Sequence, residues 1–142
     1  MTRTRHWALA GAVCAVTVVA YLPSIRGEFQ FDDNAILSAP GTLDPSSFLA
    51  PAAWRASRPL TALTFALDHA AGGFEPLAWH ATNVAIHLAA VLLAWRLARR
   101  LLARAAAGGG AAAERTREWA ALAAAALFAL HPVQTEAVSY VS

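Results

Sequence analysis

Apolar residues fall into three blocks separated by polar, turn-rich stretches. The first block runs from Trp7 to Leu22 almost without interruption, after the polar opening "MTRTRH". At ~1.5 Å per residue it covers about 24 Å, and its flanks can complete a hydrocarbon core of about 30 Å. Pro23 is expected to end this helix, giving a span over 7–22. A cleaved signal peptide is the competing reading, but "VVAYLPS" offers a poor small-x-small cleavage site. Residues 23–76 are mixed in polarity and hold "APGTLDPSS" and "APAAW", both loop chemistry. Within them "RPLTALTFALDHA" places Leu60, Leu63, Thr64 and Leu67 on one side of a short helix, expected to lie on a membrane surface until "AGGFEP" breaks it. The second block, Leu77 to Trp95, continues into "RLARRLLAR" and predicts a helix over 77–103. After the small-residue linker "AAAGGGAAAERTR", a third helix is expected over 112–131. Its strictly apolar part, Trp119–Leu130, covers only about 18 Å, so neighbouring residues must add length if it crosses a bilayer. No internal repeat is visible.

Composition moves this pattern toward a membrane. Hydrophobic residues make up 58% of the 142, and charged residues 14%. A soluble domain carries about 25% charged residues. Mean hydropathy is +0.44. The formal net charge of +2 is too small to argue for nucleic acid as a partner. A single cysteine, Cys14, excludes a disulfide framework within the chain and reads as a small buried hydrophobe. A lipoprotein reading of "LAGAVC" fails on Val13, where a small residue is expected. All eleven basic residues are arginine, and their placement predicts topology. Arg3 and Arg5 precede the first helix; Arg96, Arg99, Arg100, Arg104, Arg115 and Arg117 surround the linker between the second and third. By the positive-inside rule both regions face the cytoplasm, and 23–76 faces outward. The third helix then returns "HPVQTEAVSY" to the outer side.

Four groups of residues carry candidate chemistry. Asp32 and Asp33 lie just beyond the first helix, beside Phe29 and Phe31. Adjacent carboxylates can raise one another's pKa and act as base and charge partner. They could also contribute to a divalent cation site, though two side chains alone do not make one; a solvated acidic loop is the ordinary reading. His80, Asn83 and His87 in "WHATNVAIH" recur at three and four residues, within about 60° of one helix face. Polar groups on such a helix face the protein interior or a wet cavity. Interhelical hydrogen bonding is the plain reading, and zinc lacks a third strong ligand. His131 and Glu136 sit in "LHPVQTEAVSY", where Pro132 bends or ends the third helix. Arg58 in "SRPLTALTF" has the planar fork suited to phosphate, or is a surface residue beside a helix start. No Walker loop, GxGxxG, CxxC pair or GxSxG elbow supports nucleotide or thiol chemistry.

Taken in order, "GEFQFDDNAI", "RPLTALTFALDHAAGGFEPLAWHATNVAIHLAAVLLAWRLARRLL" and "ALFALHPVQTEAVSYV" resemble the N-terminal membrane region of the transmembrane and tetratricopeptide-repeat protein O-mannosyltransferases and their bacterial relatives. These are similar to GT-C glycosyltransferases. The resemblance covers nearly all of 20–142 and rests on F-D-D, R-P-L-T, H-x-x-N-x-x-x-H and H-P-x-x-T-E-A-V together. It implies an all-α membrane protein, the N-terminal part of a GT-C-like fold, with about three transmembrane helices and a long outer loop carrying a short surface helix. It implies a transferase that moves mannose from a polyprenyl-phosphate carrier to Ser or Thr of an outer-face protein acceptor. The expected location is a bacterial inner membrane, with the N-terminus cytoplasmic. In that picture Asp32 resembles the catalytic base and Asp33 orients the acceptor. Arg58 and His80 are candidates for the leaving phosphate, Asn83 and His87 share the helix face, and His131 and Glu136 line or brace the site. "LSAPG" stands where the family often has an Asn, and the family's further helices and repeats are absent here. The chain is therefore expected to be the opening piece of a longer product, inactive by itself. Two rivals remain: a non-catalytic membrane or interaction module, and a transporter component using His80, His87 and His131.

Overall fold

The computed structural model describes residues 3–25, 27–29, 43–55, 57–105 and 109–140. Its regular elements are helical, with no strand among the described residues. Helix α1 spans Arg3–Ile25, α2 Pro59–Gly72, α3 Pro76–Ala105, α4 Ala111–Leu130 and α5 Gln134–Ser139. Two 3₁₀ turns, Pro45–Leu49 and Ala53–Arg55, precede α2. The chain is an all-α membrane protein. Two segments, His6–Ile25 and Pro76–Ala105, are long and apolar enough to cross a bilayer. Helix α4 has twenty residues but carries Glu114, Arg115, Arg117 and Glu118 in its first half, so its apolar part is the short Trp119–Leu130 run.

One expectation is corrected. Pro23 does not end the first helix but lies inside it, with Ile25 as the last residue. Proline's fixed φ is compatible with helix, and its missing N–H removes only one bond, to a carbonyl in the final turns. The chain is too near its helix end for that loss to matter.

The described structure forms two units. The first, Met1–Leu22 with Ala85–Thr135, packs parts of α1, α3 and α4 together. Its core is Ala10 of α1, Val91 and Trp95 of α3, and Ala121, Leu122, Ala125 and Ala129 of α4. Ala121, Ala125 and Ala129 recur every four residues, which places them on one face of α4. With only methyl groups there, the helix backbones can approach closely, the usual device where no hydrophobic driving force exists between helices in lipid. Directions follow from the contacts. Glu118, early in α4, meets Arg99 late in α3, whereas Ala129, late in α4, meets His87 early in α3. The two helices are antiparallel. His6 reaches Glu118 and Tyr21 reaches His87, so α1 is also antiparallel to α3.

The second unit, Pro23–Val84 with Glu136–Ser142, is held by aromatic packing. Leu43 and Trp79 are buried, with Phe29, Phe65 and Ala78 against them. Asp44 caps the first 3₁₀ turn: its carboxylate accepts from the Ser46 N–H at 2.9 Å and the Ser46 hydroxyl at 2.6 Å. Those two bonds favour the charged form and hold the Asp44 pKa below its ordinary value. Helix α2 opens on Pro59 and closes at Gly73, whose φ of 61° is left-handed and whose N–H donates to the His69 carbonyl at 2.8 Å. A side chain at 73 would strain that turn. The Gly73 carbonyl in turn accepts the Trp79 indole N–H at 3.0 Å, tying the turn to the first residues of α3. The leucine side expected on α2 is partly open: Leu60 and Leu67 are exposed, and the buried residues are Ala66 and Asp68.

Because Ala125 is 1% exposed at a close helix crossing, Ala125→Leu should overpack the first unit by about 1–3 kcal/mol. Detergent-micelle unfolding by SDS, followed by circular dichroism, should show the loss. Ala124→Leu, at an exposed position on the same helix, should show none.

Candidate functional site

The acidic pair expected to carry the chemistry, Asp32 and Asp33, lies outside the described residues. The other candidates lie among the described residues, some engaged and some exposed. Arg58 is exposed at the residue before α2 and makes no capping bond with its side chain. Its guanidinium is on the surface of the second unit, as a group that meets a soluble or headgroup anion must be.

His80 follows Trp79 at the start of α3 and is 1% exposed. Its ring lies 6.3 Å from the Phe29 ring, tilted by 32°. Phe29 also meets Trp79 edge-on at 5.8 Å, and Trp79 meets Phe65 at 5.7 Å. These rings make an apolar wall around His80. Gly27 closes another side: a Cβ there would stand 3.8 Å from His80 Nε2 and 3.0 Å from the Ser24 carbonyl. The Gly27 N–H already donates to that carbonyl at 2.9 Å, so the turn after α1 depends on a residue without a side chain.

Asn83, one turn further along α3, donates from Nδ2 to the Tyr140 carbonyl at 2.7 Å. The bond joins residues 57 apart in sequence and fixes the end of the described chain against α3. Between α2 and α3, the Thr82 hydroxyl donates to Asp68 Oδ1 at 2.6 Å. Burial raises the Asp68 pKa, and the Thr82 bond works against that rise without cancelling it. Sequence reasoning gave Asp68 no role. The one usable signal was a carboxylate inside the otherwise apolar run "LTALTFALDHA".

His87 and His131 belong to the first unit. His87 is 5% exposed, and its Nε2 lies 3.0 Å from the Ala129 carbonyl. A carbonyl oxygen can only accept, so Nε2 carries the proton. The Tyr21 and Phe128 rings flank it at 5.4 and 5.7 Å. His131 is the exposed C-cap residue of α4, and its Nδ1 accepts from the Val133 N–H at 3.2 Å. Glu136, in α5, is exposed. The H-x-x-N-x-x-x-H spacing therefore gives three separate engagements rather than a shared ligand set. No group of three His, Cys, Asp or Glu side chains is arranged to hold a metal ion among the described residues.

No protein-family model matches the chain. No solved structure matches it either. Curated proteins do. Protein O-mannosyl-transferase Tmtc1 of Drosophila melanogaster is 35% identical over 94% of this chain, and Tmtc2 of the same organism 37% identical over 89%. Protein O-mannosyl-transferase TMTC4 of Homo sapiens is 31% identical over 89%. The chain spans 16%, 14% and 19% of those three relatives respectively.

Two measurements check this geometry. Asn83→Ala removes a hydrogen bond of about 1 kcal/mol, so amide exchange over 138–140 should accelerate roughly fivefold while that of α4 stays unchanged. Asp68 gives a pH signature. A carboxyl whose folded pKa is raised stabilises the fold fully below its ordinary value of 3.8, and that contribution is lost as pH rises through the folded pKa. Asp68→Asn keeps an oxygen for Thr82 but cannot ionise. Its stability relative to the wild type should therefore increase as pH rises above 3.8, in paired denaturation curves.

Proposed function

This chain belongs to the family of the TMTC protein O-mannosyl-transferases, and we propose that it forms the acceptor-facing opening part of such a transferase. The observation that carries this reading is relatedness over some nine-tenths of the chain to proteins that all bear that activity in their names. The reaction transfers mannose from a polyprenyl phosphate to a Ser or Thr hydroxyl of a protein outside the cytoplasm. Asp32 takes the proton from the acceptor hydroxyl as its oxygen attacks the sugar's C1. The bond from C1 to the phosphate oxygen breaks, and polyprenyl phosphate leaves with the electron pair. Asp33 orients the acceptor. Arg58, exposed and free of a capping bond, receives the phosphate charge.

His80, Asn83 and His87 take positioning roles in this reading. Each is engaged within its own unit, and a histidine at 1% exposure behind Phe29 and Trp79 is not open to a bulky phosphate. His131 and Glu136, both exposed, are left to line the site with downstream parts of the protein. The arginine-bearing ends of α1 and α3 lie in the cytoplasm, and 23–76 lies outside, in a bacterial inner membrane. Two helices of membrane-spanning length support the membrane part of this layout. A lipid-linked donor can meet a protein acceptor only near the bilayer surface, where the segment after α1 must emerge.

Asp32→Asn in the complete gene product containing this chain should lower O-mannosylation of outer-face proteins by at least about a hundredfold. Glycopeptide mass spectrometry reads the loss. Undiminished mannosylation would rule out Asp32 as the base. Arg58→Lys, which keeps charge but loses the fork, should raise the KM for the lipid donor more than it lowers kcat.

A further inference from the structure

At the arginine-bearing end of the first unit, where α1 begins beside the second half of α3, lies a cleft of about 580 Å³. Its walls are His6, Trp7, Trp95, Arg96, Arg99 and Arg100. We infer that this cleft binds the phosphate headgroup of an anionic membrane lipid. The cleft contains none of the residues assigned to the proposed transfer and has no part in it.

Charge is the first reason. Three guanidinium groups line the cleft, and one carboxylate, Glu118, stands behind Arg99, so two positive charges remain in excess. Glu118 is 5% exposed, accepts from Arg99 Nε at 2.8 Å, and has His6 Nδ1 at 3.1 Å from its other oxygen. It neutralises one arginine and fixes it in place. Arg99 is further held 5.0 Å above the Trp95 ring. Arg96 and Arg100 are exposed and make no ion pair among the described residues. Their planar forks match phosphate oxygens, and one turn of helix separates them, so they can grip one group from two sides.

A second observation is a donor without an acceptor. Trp95 is 1% exposed, and its indole N–H has no hydrogen-bond partner among the described residues. Such a group beside a cationic cleft is suited to an anionic oxygen. The third is the setting. Trp7 and Trp95 meet edge-on at 5.1 Å, and paired tryptophans with arginines at the end of a spanning helix belong at headgroup depth. Leu93, Leu97 and Leu101, all more than half exposed, form the neighbouring row of α3. That row offers acyl chains a surface continuous with the arginines. A soluble phosphate would use the charge but not the leucines, and basic pockets between helices at this depth suit lipid headgroups.

The inference rests on α1 and α3 as membrane helices and not on the transfer reaction. The purified chain in neutral detergent is offered phosphatidylglycerol and phosphatidylcholine of identical acyl chains in equal amounts, and native mass spectrometry counts the lipids retained. No sugar donor is present, so the result is independent of catalysis. The wild type should retain phosphatidylglycerol preferentially. Arg96→Gln with Arg100→Gln should lower that preference on the order of tenfold, while Arg104→Gln, outside the cleft, should leave it unchanged. Equal retention of both lipids by the wild type would overturn the site, as would a preference indifferent to the double substitution or equally reduced by Arg104→Gln. Displacement of the lipid by millimolar inorganic phosphate would overturn the lipid in favour of a free anion. Should the glutamine pair lose its helical spectrum, Arg96→Lys with Arg100→Lys takes its place, and an undiminished preference there would overturn recognition through the guanidinium forks.

Discussion

A polar side chain on a helix built for hydrocarbon must find its partner inside the protein, because lipid supplies none and an unmet group costs several kcal/mol. The described helices are organised around that constraint. The Thr17 hydroxyl returns to the Val13 carbonyl within α1 at 2.8 Å. His87 reaches the Ala129 carbonyl near the end of α4, and Glu118 gathers Arg99 and His6 near its start. Two polar contacts thus set the alignment of α4 on α3 at both ends, and alanines fill the distance between them. The Arg99–Glu118 pair adds little net stability, since burying its carboxylate offsets much of the attraction. What the two contacts supply is register. Three smooth apolar helices could slide past one another; these cannot without exposing a carboxylate or a histidine.

The same constraint explains why the residues of the H-x-x-N-x-x-x-H pattern are each engaged inside the protein. A site that handles a lipid-linked sugar needs groups that are free when the substrate arrives. His80 lies behind aromatic rings, Asn83 is committed to the Tyr140 carbonyl, and His87 is committed to Ala129. Arg58 is the arginine among the placed candidates, and it is exposed. Among the described residues, the division is between side chains of α3 engaged inside the protein and an Arg58 that stays exposed.

The two ends of the first unit differ in kind. At one, His87 sits among Tyr21 and Phe128 with a single carbonyl partner. At the other, arginines, tryptophans, a histidine and a buried glutamate crowd together around an open cleft. Arginine at a helix C-terminus is favoured by the helix dipole and by the headgroup layer at once. That coincidence makes the arginine clusters strong topological markers, and it places a phosphate-binding geometry where phosphates are most concentrated.

The helical class, the two spanning segments and the breaks between elements were legible in the chain itself, because apolar run length and turn residues act locally. Pro23 was the exception: only its nearness to a helix end, which local pattern does not weigh, let α1 run on to Ile25. Family membership was legible too, from motifs spread along nearly the whole length. Partnerships were not. Glu118 carried no assignment in the sequence, yet folding brings Arg99 of α3, 19 residues away, and His6 of α1 to it. Asp68 reads as a surface acid until Thr82 covers it. His80 and His87 look alike in sequence, yet one is walled in by aromatic rings and the other donates to a backbone carbonyl. Spacing on a helix determines which side chains share a face. What that face meets depends on chain segments far away in sequence, and only packing brings them together.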